Sequence, residues 1–365
     1  MNRVLSIDGP GEISWVDEKL PDVPDGGFRV ETLFSGVSAG TELTFVKGVN
    51  PYLKSVWDPS LGLFTEGTPG AAYPVRGIGY MQVGEVVESR TSILKPGARV
   101  AMAYGHRTGY VADPMTDRFV ELPPGFDPLM GIYVAHMGPI CANGLLHAAH
   151  DLHGQAVQSL GDGVRGRRVA VTGAGVVGLL VAQFARAYGA AEVAVLDETP
   201  DRLAIADKLG FLTVSGNPAL ELKRRWRHGP NDRGADVVFQ CRGQARALAL
   251  ALKLLRPQGA VIDLAFYTEG AHEVRLGEEF HHNGLTLRCA QIGRVPRGLA
   301  HTWDRERLSH ETIRLLREHG DELGEHVITD VVAFDEAPDL LYDLATRRRH
   351  AVQAVLSRDV QHESG

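Results

Sequence analysis

Along the first part of the chain, apolar residues come in short runs broken by turn chemistry. In the middle they come as β-branched runs alternating with longer amphipathic stretches. From Val4 to about Leu33 the runs are separated by Asp8-Gly9-Pro10-Gly11 and Pro24-Asp25-Gly26-Gly27, which predicts consecutive strands and not strand–helix–strand units. Gly79 to Glu88 reads as a glycine turn entering a strand, and Leu94 to Ala101 as a turn before another. The segment 47–76, rich in Pro and Gly and carrying Tyr52, Lys54, Trp57 and Phe64, is predicted to be a long loop. Loops of that length in compact domains are usually functional or disordered, and the aromatics point to order. It is read either as a wall of a substrate cleft or as a subunit contact.

The pattern changes at Arg167. Val169 to Val171 is a short β-branched run of the kind buried in a parallel sheet, and Gly173, Gly175 and Gly178 follow at the G-x-G-x-x-G spacing, with Ala174, Val176 and Val177 between them. Gly173 permits the sharp turn, Gly175 clears space for a pyrophosphate, and Gly178 lets the helix that runs on to Ala185 pack close to the strand. That helix would aim unpaired N–H groups at phosphates. Ala191 to Leu196 reads as a second strand ending on Asp197, roughly twenty residues beyond the last glycine, where an acid that binds a ribose 2′-hydroxyl belongs. An acid there repels a 2′-phosphate and favours NAD over NADP, with Arg202 as a complication. The competing reading makes Asp197 a cap for the helix that begins near Thr199-Pro200.

A chain of 365 residues with 44% hydrophobic content has material for two domains. A net charge of −7 and a pI near 6.1 leave no electrostatic footprint for nucleic acid, and Arg347-Arg348-Arg349 reads as a solvated helix end. No apolar run is long enough to cross a bilayer and Met1-Asn2-Arg3-Val4-Leu5 lacks the apolar core of a signal peptide, so the cytoplasm is the expected location and no membrane partner is expected. The three cysteines, Cys141, Cys241 and Cys289, are scattered, which excludes a four-cysteine structural zinc site and argues against a disulfide framework.

A β-rich first portion, the Pro96-Gly97-Ala98-Arg99-Val100 turn, a helix before the glycine turn and then a dinucleotide fold together resemble the medium-chain dehydrogenase/reductase superfamily over nearly the whole chain. The resemblance implies an α/β protein: a doubly wound parallel Rossmann sheet plus a β-rich, GroES-like catalytic domain. Residues 1–140 and 294–365 would form the catalytic domain and 141–293 the Rossmann domain. It implies a linking helix within Gly131 to Leu152 that sets Asn143 against the nicotinamide side. Ala235 to Gly243, with Cys241 and Arg242, would lie under the adenosine half, and Gly259 to Tyr267 would bring Ala265, Phe266 and Tyr267 to the nicotinamide. Asp304 to His319 reads as an amphipathic helix, after which Val331 to Ala337 and Ala351 to Leu356 rejoin the catalytic domain.

Zinc-dependent members hold their metal with a Cys in a C-G-x-C-G-[ST]-D stretch, a His in a G-H-E stretch, and either the acid after that His or a Cys before the linking helix. Here Ser38 replaces the first Cys with Ala39 inserted after it, Gly79-Tyr80-Met81 replaces G-H-E, and Pro139 stands at the last Cys, with Cys141 two residues off. Hydroxyls and a lone thioether are poor zinc ligands, so no catalytic zinc is expected. A displaced site from Cys141 with His136 or His147 is the alternative to their being packing residues. Without a metal, another group must move the proton that accompanies a hydride. Tyr80 is the first candidate, against a space-filling role. Thr41 keeps the position of the family's hydroxyl relay, with Ser38 beside it and Glu42 following as a structural or catalytic acid. Lys47, Lys54 and His106 are cleft-side possibilities. His281 and His282, read as adjacent on a strand, would send at most one ring to the site.

The sequence thus reads as a zinc-independent, NAD-dependent oxidoreductase acting on a secondary alcohol or ketone. The metal-free branch it resembles acts on sugar-, cyclitol- or polyol-like molecules or on bacteriochlorophyllides. The alternatives are an NADPH-dependent enoyl or quinone reductase of the same superfamily and a catalytically inactive NAD-binding sensor or assembly partner. A homodimer or homotetramer is expected from the resemblance.

Overall fold

The computed structural model describes residues 2–214 and 216–359, so the last residues of the returning segment, 360–365, lie outside the described residues. Two compact units divide the chain: Met1–His136 with Ile328–Gly365, and Met137–Val327. In the second unit six strands form one sheet, numbered here in chain order: β1 (Arg168–Thr172), β2 (Glu192–Leu196), β3 (Leu212–Thr213), β4 (Ala235–Gln240), β5 (Leu255–Asp263) and β6 (Thr286–Cys289). Their spatial order is β3-β2-β1-β4-β5-β6 and every pairing is parallel. That is the dinucleotide-binding order, and it places the topological switch point between β1 and β4. Val169, Val171, Val195, Val238 and Val261 are buried in this sheet, as a sheet covered on both faces requires.

The glycine turn is made as the spacing predicts. Gly173 has φ +103°, open to glycine at little cost. A Cβ at Gly178 would sit 1.7 Å from the Gly173 carbonyl oxygen, so only glycine lets the helix Val176–Ala187 start this close to β1.

The first unit is antiparallel-rich. Its larger sheet runs Phe119–Glu121, Arg99–Met102, Gln82–Ser89, Phe28–Gly36, Gln353–Ser357 and Ile328–Ala333, with Gly109–Ala112 also paired to Phe28–Gly36. A smaller sheet pairs Asn2–Gly9 with Glu12–Glu18 and Val75–Arg76. The returning strands pack Val332, Ala354 and Leu356 with Leu5, Ile7, Val37 and Leu43 in one core. No helix among the described residues is long and apolar enough to cross a membrane.

Two expectations change. The segment 47–76 is not a long loop: Ser55–Asp58 and Leu63–Glu66 form a hairpin in which Trp57 opposes Phe64. Asp58 makes its turn by accepting the N–H groups of Ser60 and Leu61 through its side chain, with Gly62 at φ +68°. The second junction falls at 327/328 and not at 293. The helix Arg305–His326 runs seven residues past the stretch read from the pattern and packs within the second unit, against Met137–His153. The approach is close, since a Cβ at Gly138 would lie 2.1 Å from Thr312 Cγ2. Gly138→Val is therefore expected to cost about 1–3 kcal/mol of unfolding free energy in a urea titration. Adding Thr312→Ala should recover part of the loss; independent, additive losses would contradict the contact.

Candidate active site

In the first unit a row of buried polar groups runs beneath Ser38, the residue before the helix Ala39–Val46. The Ser38 backbone N–H donates to Glu42 Oε1 at 3.0 Å, and Glu42 Oε2 lies 2.8 Å from His106 Nε2. On the other side of the ring His106 Nδ1 is 2.7 Å from Ser35 Oγ, which accepts from Gln82 Nε2 at 3.0 Å. Gln82 Oε1 in turn accepts the N–H groups of Tyr104 and Gly105. Glu42, His106, Ser35 and Gln82 are all sealed from solvent. At the half-buried end of the row, Ser38 Oγ is hydrogen-bonded to the Tyr80 hydroxyl, and the Tyr80 ring lies 4.5 Å from the His136 ring, centroid to centroid.

This arrangement sorts the sequence candidates. Tyr80 and Ser38 are brought together. Glu42 is 1% exposed and holds the Ser38 backbone, so it is a positioning group and not one open to a ligand. His106 is not on an open face but completely buried as the partner of Glu42. Thr41 is half-buried, and its carbonyl, not its hydroxyl, is engaged, by Thr44 Oγ1 at 2.5 Å. Met81 is fully buried against Gly36, where a Cβ would meet its Cε at 2.9 Å. Gln353, on the returning strand, donates to the Val37 carbonyl at 3.1 Å; nothing local in the sequence marks it. The hairpin sets Tyr52 and Trp57 edge-on to Phe64 at 5.6 and 5.2 Å, with Lys54 exposed after the short helical turn Pro51–Leu53.

Ser38, Tyr80 and Met81 therefore offer two mutually bonded hydroxyls and a core-packed thioether. Among the described residues no three His, Cys, Asp or Glu side chains converge. That donor set does not fit zinc. The displaced alternative fares no better: Cys141 is buried with its thiol directed to the Val177 carbonyl at 3.6 Å, and burial holds its proton on. His147 Nε2 is engaged by backbone, 3.4 Å from the Arg294 carbonyl.

In the second unit the groups expected around a dinucleotide collect at the carboxyl ends of β1, β2, β4 and β5. A Cβ at Gly175 would meet nothing nearer than Arg202 Nη1 at 3.9 Å, leaving open space before the first-turn N–H groups of the helix Val176–Ala187. A cradle of this kind fits a pyrophosphate. Asp197 stands at the end of β2, but its side chain has no exposed surface. Its Oδ2 accepts from Ala174 N and its Oδ1 from Thr199 N, each at 2.8 Å, and Arg242 Nη1 donates to Oδ1 at 3.0 Å. Burial alone would raise this carboxyl, but those N–H groups, with the charges of Arg242 and Arg202, outweigh it and hold the pKa below its ordinary value. The competing reading is met in part, since Asp197 closes the turn at Thr199, the residue before the helix Pro200–Lys208. Arg242 also reaches Glu198 at 3.1 Å, and Arg246 pairs with the same carboxylate at 2.8 Å.

The other cofactor candidates lie in the same unit. Asn143 is fully buried and donates to the carbonyls of Gln291 and Arg294 at 3.3 and 3.2 Å, so it braces the segment after β6 from behind. The Cys241 N–H is bound to the Thr172 carbonyl at 2.8 Å. Ala265 donates its N–H to Asp263, Phe266 is 40% exposed, and Tyr267 turns its hydroxyl inward to Asp263. Asp263, Gln240 and Thr172 were not singled out from the sequence. His281 and His282 are exposed in a helical turn before β6 and not on a strand, with His282 Nδ1 at 3.1 Å from the Glu278 carbonyl.

The zinc-binding dehydrogenase family model matches residues 176–305. D-guloside 3-dehydrogenase of Shigella flexneri is 24% identical over 85% of this chain and 87% of its own length. "Probable D-xylulose reductase A" of Arthroderma otae is 30% identical over 72% of this chain and 75% of its own. The zinc-type alcohol dehydrogenase-like protein YdjJ of Escherichia coli is 28% identical over 51% of this chain, an alignment that spans 59% of that protein. Among solved structures, 2R,3R-butanediol dehydrogenase from Bacillus subtilis superposes over 98% of this chain and all of its own with a TM-score of 0.72 at 18% identity, which speaks to the fold alone. With the parallel sheet, the glycine cradle and these likenesses together, the chain belongs to the medium-chain dehydrogenase/reductase superfamily.

Proposed function

We propose that this protein is a zinc-independent, NAD-preferring dehydrogenase that interconverts a secondary alcohol and its ketone on a sugar-, cyclitol- or polyol-like molecule. The observation that carries the reading is the mutually hydrogen-bonded hydroxyl pair of Tyr80 and Ser38, which the family resemblance sets at the positions of the zinc motif. The names of the relatives support the substrate class, since a guloside and a xylulose both present secondary alcohols or the matching carbonyl.

A nicotinamide nucleotide, when bound, supplies or takes up the hydride. The residues of this chain do the rest. The helix that starts at Val176 and the open face of Gly175 receive the pyrophosphate. Asp197 presents negative charge to the adenosine ribose, tempered by Arg242 and Arg202. Tyr80 donates a hydrogen bond to the oxygen of the reacting carbon, giving up its proton in ketone reduction and recovering it in alcohol oxidation. Ser38 Oγ is the second hydroxyl of the relay. It is fixed because Glu42 and His106 hold its backbone from behind.

On a panel of sugars and polyols, Tyr80→Phe is expected to lower kcat by about a hundredfold or more with little change in KM, the range typical of a lost general acid–base group. A variant that keeps full kcat would remove Tyr80 from the chemistry. Cofactor choice gives a second test. Arg242→Ala unmasks the Asp197 charge, so the ratio of kcat/KM for NAD over NADP should rise about tenfold, and Asp197→Ala should lower it. Ratios that move the other way would assign the ribose position to the arginines.

A further inference from the structure

Four polar side chains form a hydrogen-bonded row across the carboxyl ends of β1, β4 and β5. Thr172 Oγ1 donates to Gln240 Oε1 at 2.6 Å, Gln240 Nε2 donates to the Tyr267 oxygen at 2.8 Å, and the Tyr267 hydroxyl donates to Asp263 Oδ2 at 2.9 Å. The other oxygen, Asp263 Oδ1, accepts the Ala265 N–H at 3.0 Å. Both oxygens of Asp263 accept; burial raises its pKa, and the Ala265 N–H and the Tyr267 hydroxyl pull against that by favouring the carboxylate. Asp263 is 8% exposed and follows Val261 and Ile262, both completely buried.

No lysine, arginine or histidine pairs with Asp263 among the described residues; its partners are a phenol and a peptide N–H. A buried carboxylate without a counter-charge is costly to keep. Its field reaches the neighbouring strand ends: after burial itself, the Asp263 charge is among the causes that raise the Cys241 and Cys289 thiols and the Tyr267 phenol. The end of β5 is therefore a place that a cationic ligand would complete.

In a sheet of this order the second mononucleotide of a dinucleotide lies over the carboxyl ends of β4 to β6. The oxidised nicotinamide ring carries a positive charge that the reduced ring lacks. We propose that Asp263, oriented by Tyr267 and Gln240, is the counter-charge of the oxidised nicotinamide, so that it selectively strengthens binding of the oxidised cofactor over the reduced one. This inference rests on the reading above that a nicotinamide nucleotide occupies this crevice.

The test needs no substrate. Dissociation constants for NAD+ and NADH are measured by calorimetric titration on the wild type, Asp263→Asn and Tyr267→Phe. Asp263→Asn is expected to weaken NAD+ about tenfold and leave NADH within about twofold, while Tyr267→Phe, which keeps the charge, leaves the ratio of the two constants within about twofold. Should the asparagine variant not fold, Asp263→Leu, which suits the apolar neighbours, carries the same expectation. Equal weakening of both forms, no weakening of either, or a Tyr267→Phe effect as selective as that expected of Asp263→Asn overturns the inference while leaving the dinucleotide reading intact. Failure of the wild type to bind either nucleotide overturns that reading and this inference with it.

Discussion

The Glu42–His106 contact is the constraint on which the candidate chemistry depends. A carboxylate and an imidazole meet at 2.8 Å with neither in contact with water, and each uses its second polar atom to hold something else. Glu42 holds the Ser38 backbone and His106 holds Ser35. Removing one member of such a buried pair leaves the other without compensation, typically at about 3–5 kcal/mol when both are charged. Ser38 is therefore anchored to the sheet through its own backbone, and the Tyr80 hydroxyl inherits that anchoring through Ser38. Pre-set hydroxyls of this kind are what a proton-moving site requires when no metal polarises the substrate oxygen.

The second unit meets a different constraint with the same economy of parts. Steric exclusion sets the glycine cradle, since a methyl at Gly178 has no room and one at Gly175 would fill the phosphate space. Charge sets the flanks. Asp197 is shared among two peptide N–H groups and Arg242, whereas Asp263 has only dipoles around it. The two acids stand at the ends of β2 and β5, one neutralised by arginine and one not, so the two halves of the sheet carry different electrostatics at their carboxyl ends.

What was legible in the sequence was local. The strand, turn and helix from Arg168 to Ala187, the strand before Asp197 and the strands near Gln82 and Arg99 are written in apolar runs and turn chemistry and appear where the pattern places them, while the strand from Ala235 came with the family resemblance. The departure of Ser38, Tyr80 and Met81 from the zinc motif needs only register against the resembled family; what the structure adds is that Ser38 and Tyr80 share a hydrogen bond. What stayed hidden depends on partners far apart in the chain. Glu42 and His106 are 64 residues apart, and Thr172 and Gln240 are 68 apart, with no motif linking either pair. The hairpin within 47–76 was missed because its strands are short and its turn rests on an Asp58 side chain. The second domain junction was missed because the helix Arg305–His326 is placed by the Gly138–Thr312 approach, which no local pattern reports.

The claim that side-chain hydroxyls stand in for a metal is tested most directly by quantifying zinc in the purified, active protein by mass spectrometry and then assaying turnover after exhaustive chelation. The account predicts zinc well below one atom per chain and turnover undiminished by the chelator. One tightly held zinc per chain, whose removal abolishes turnover and whose return restores it, would contradict the account.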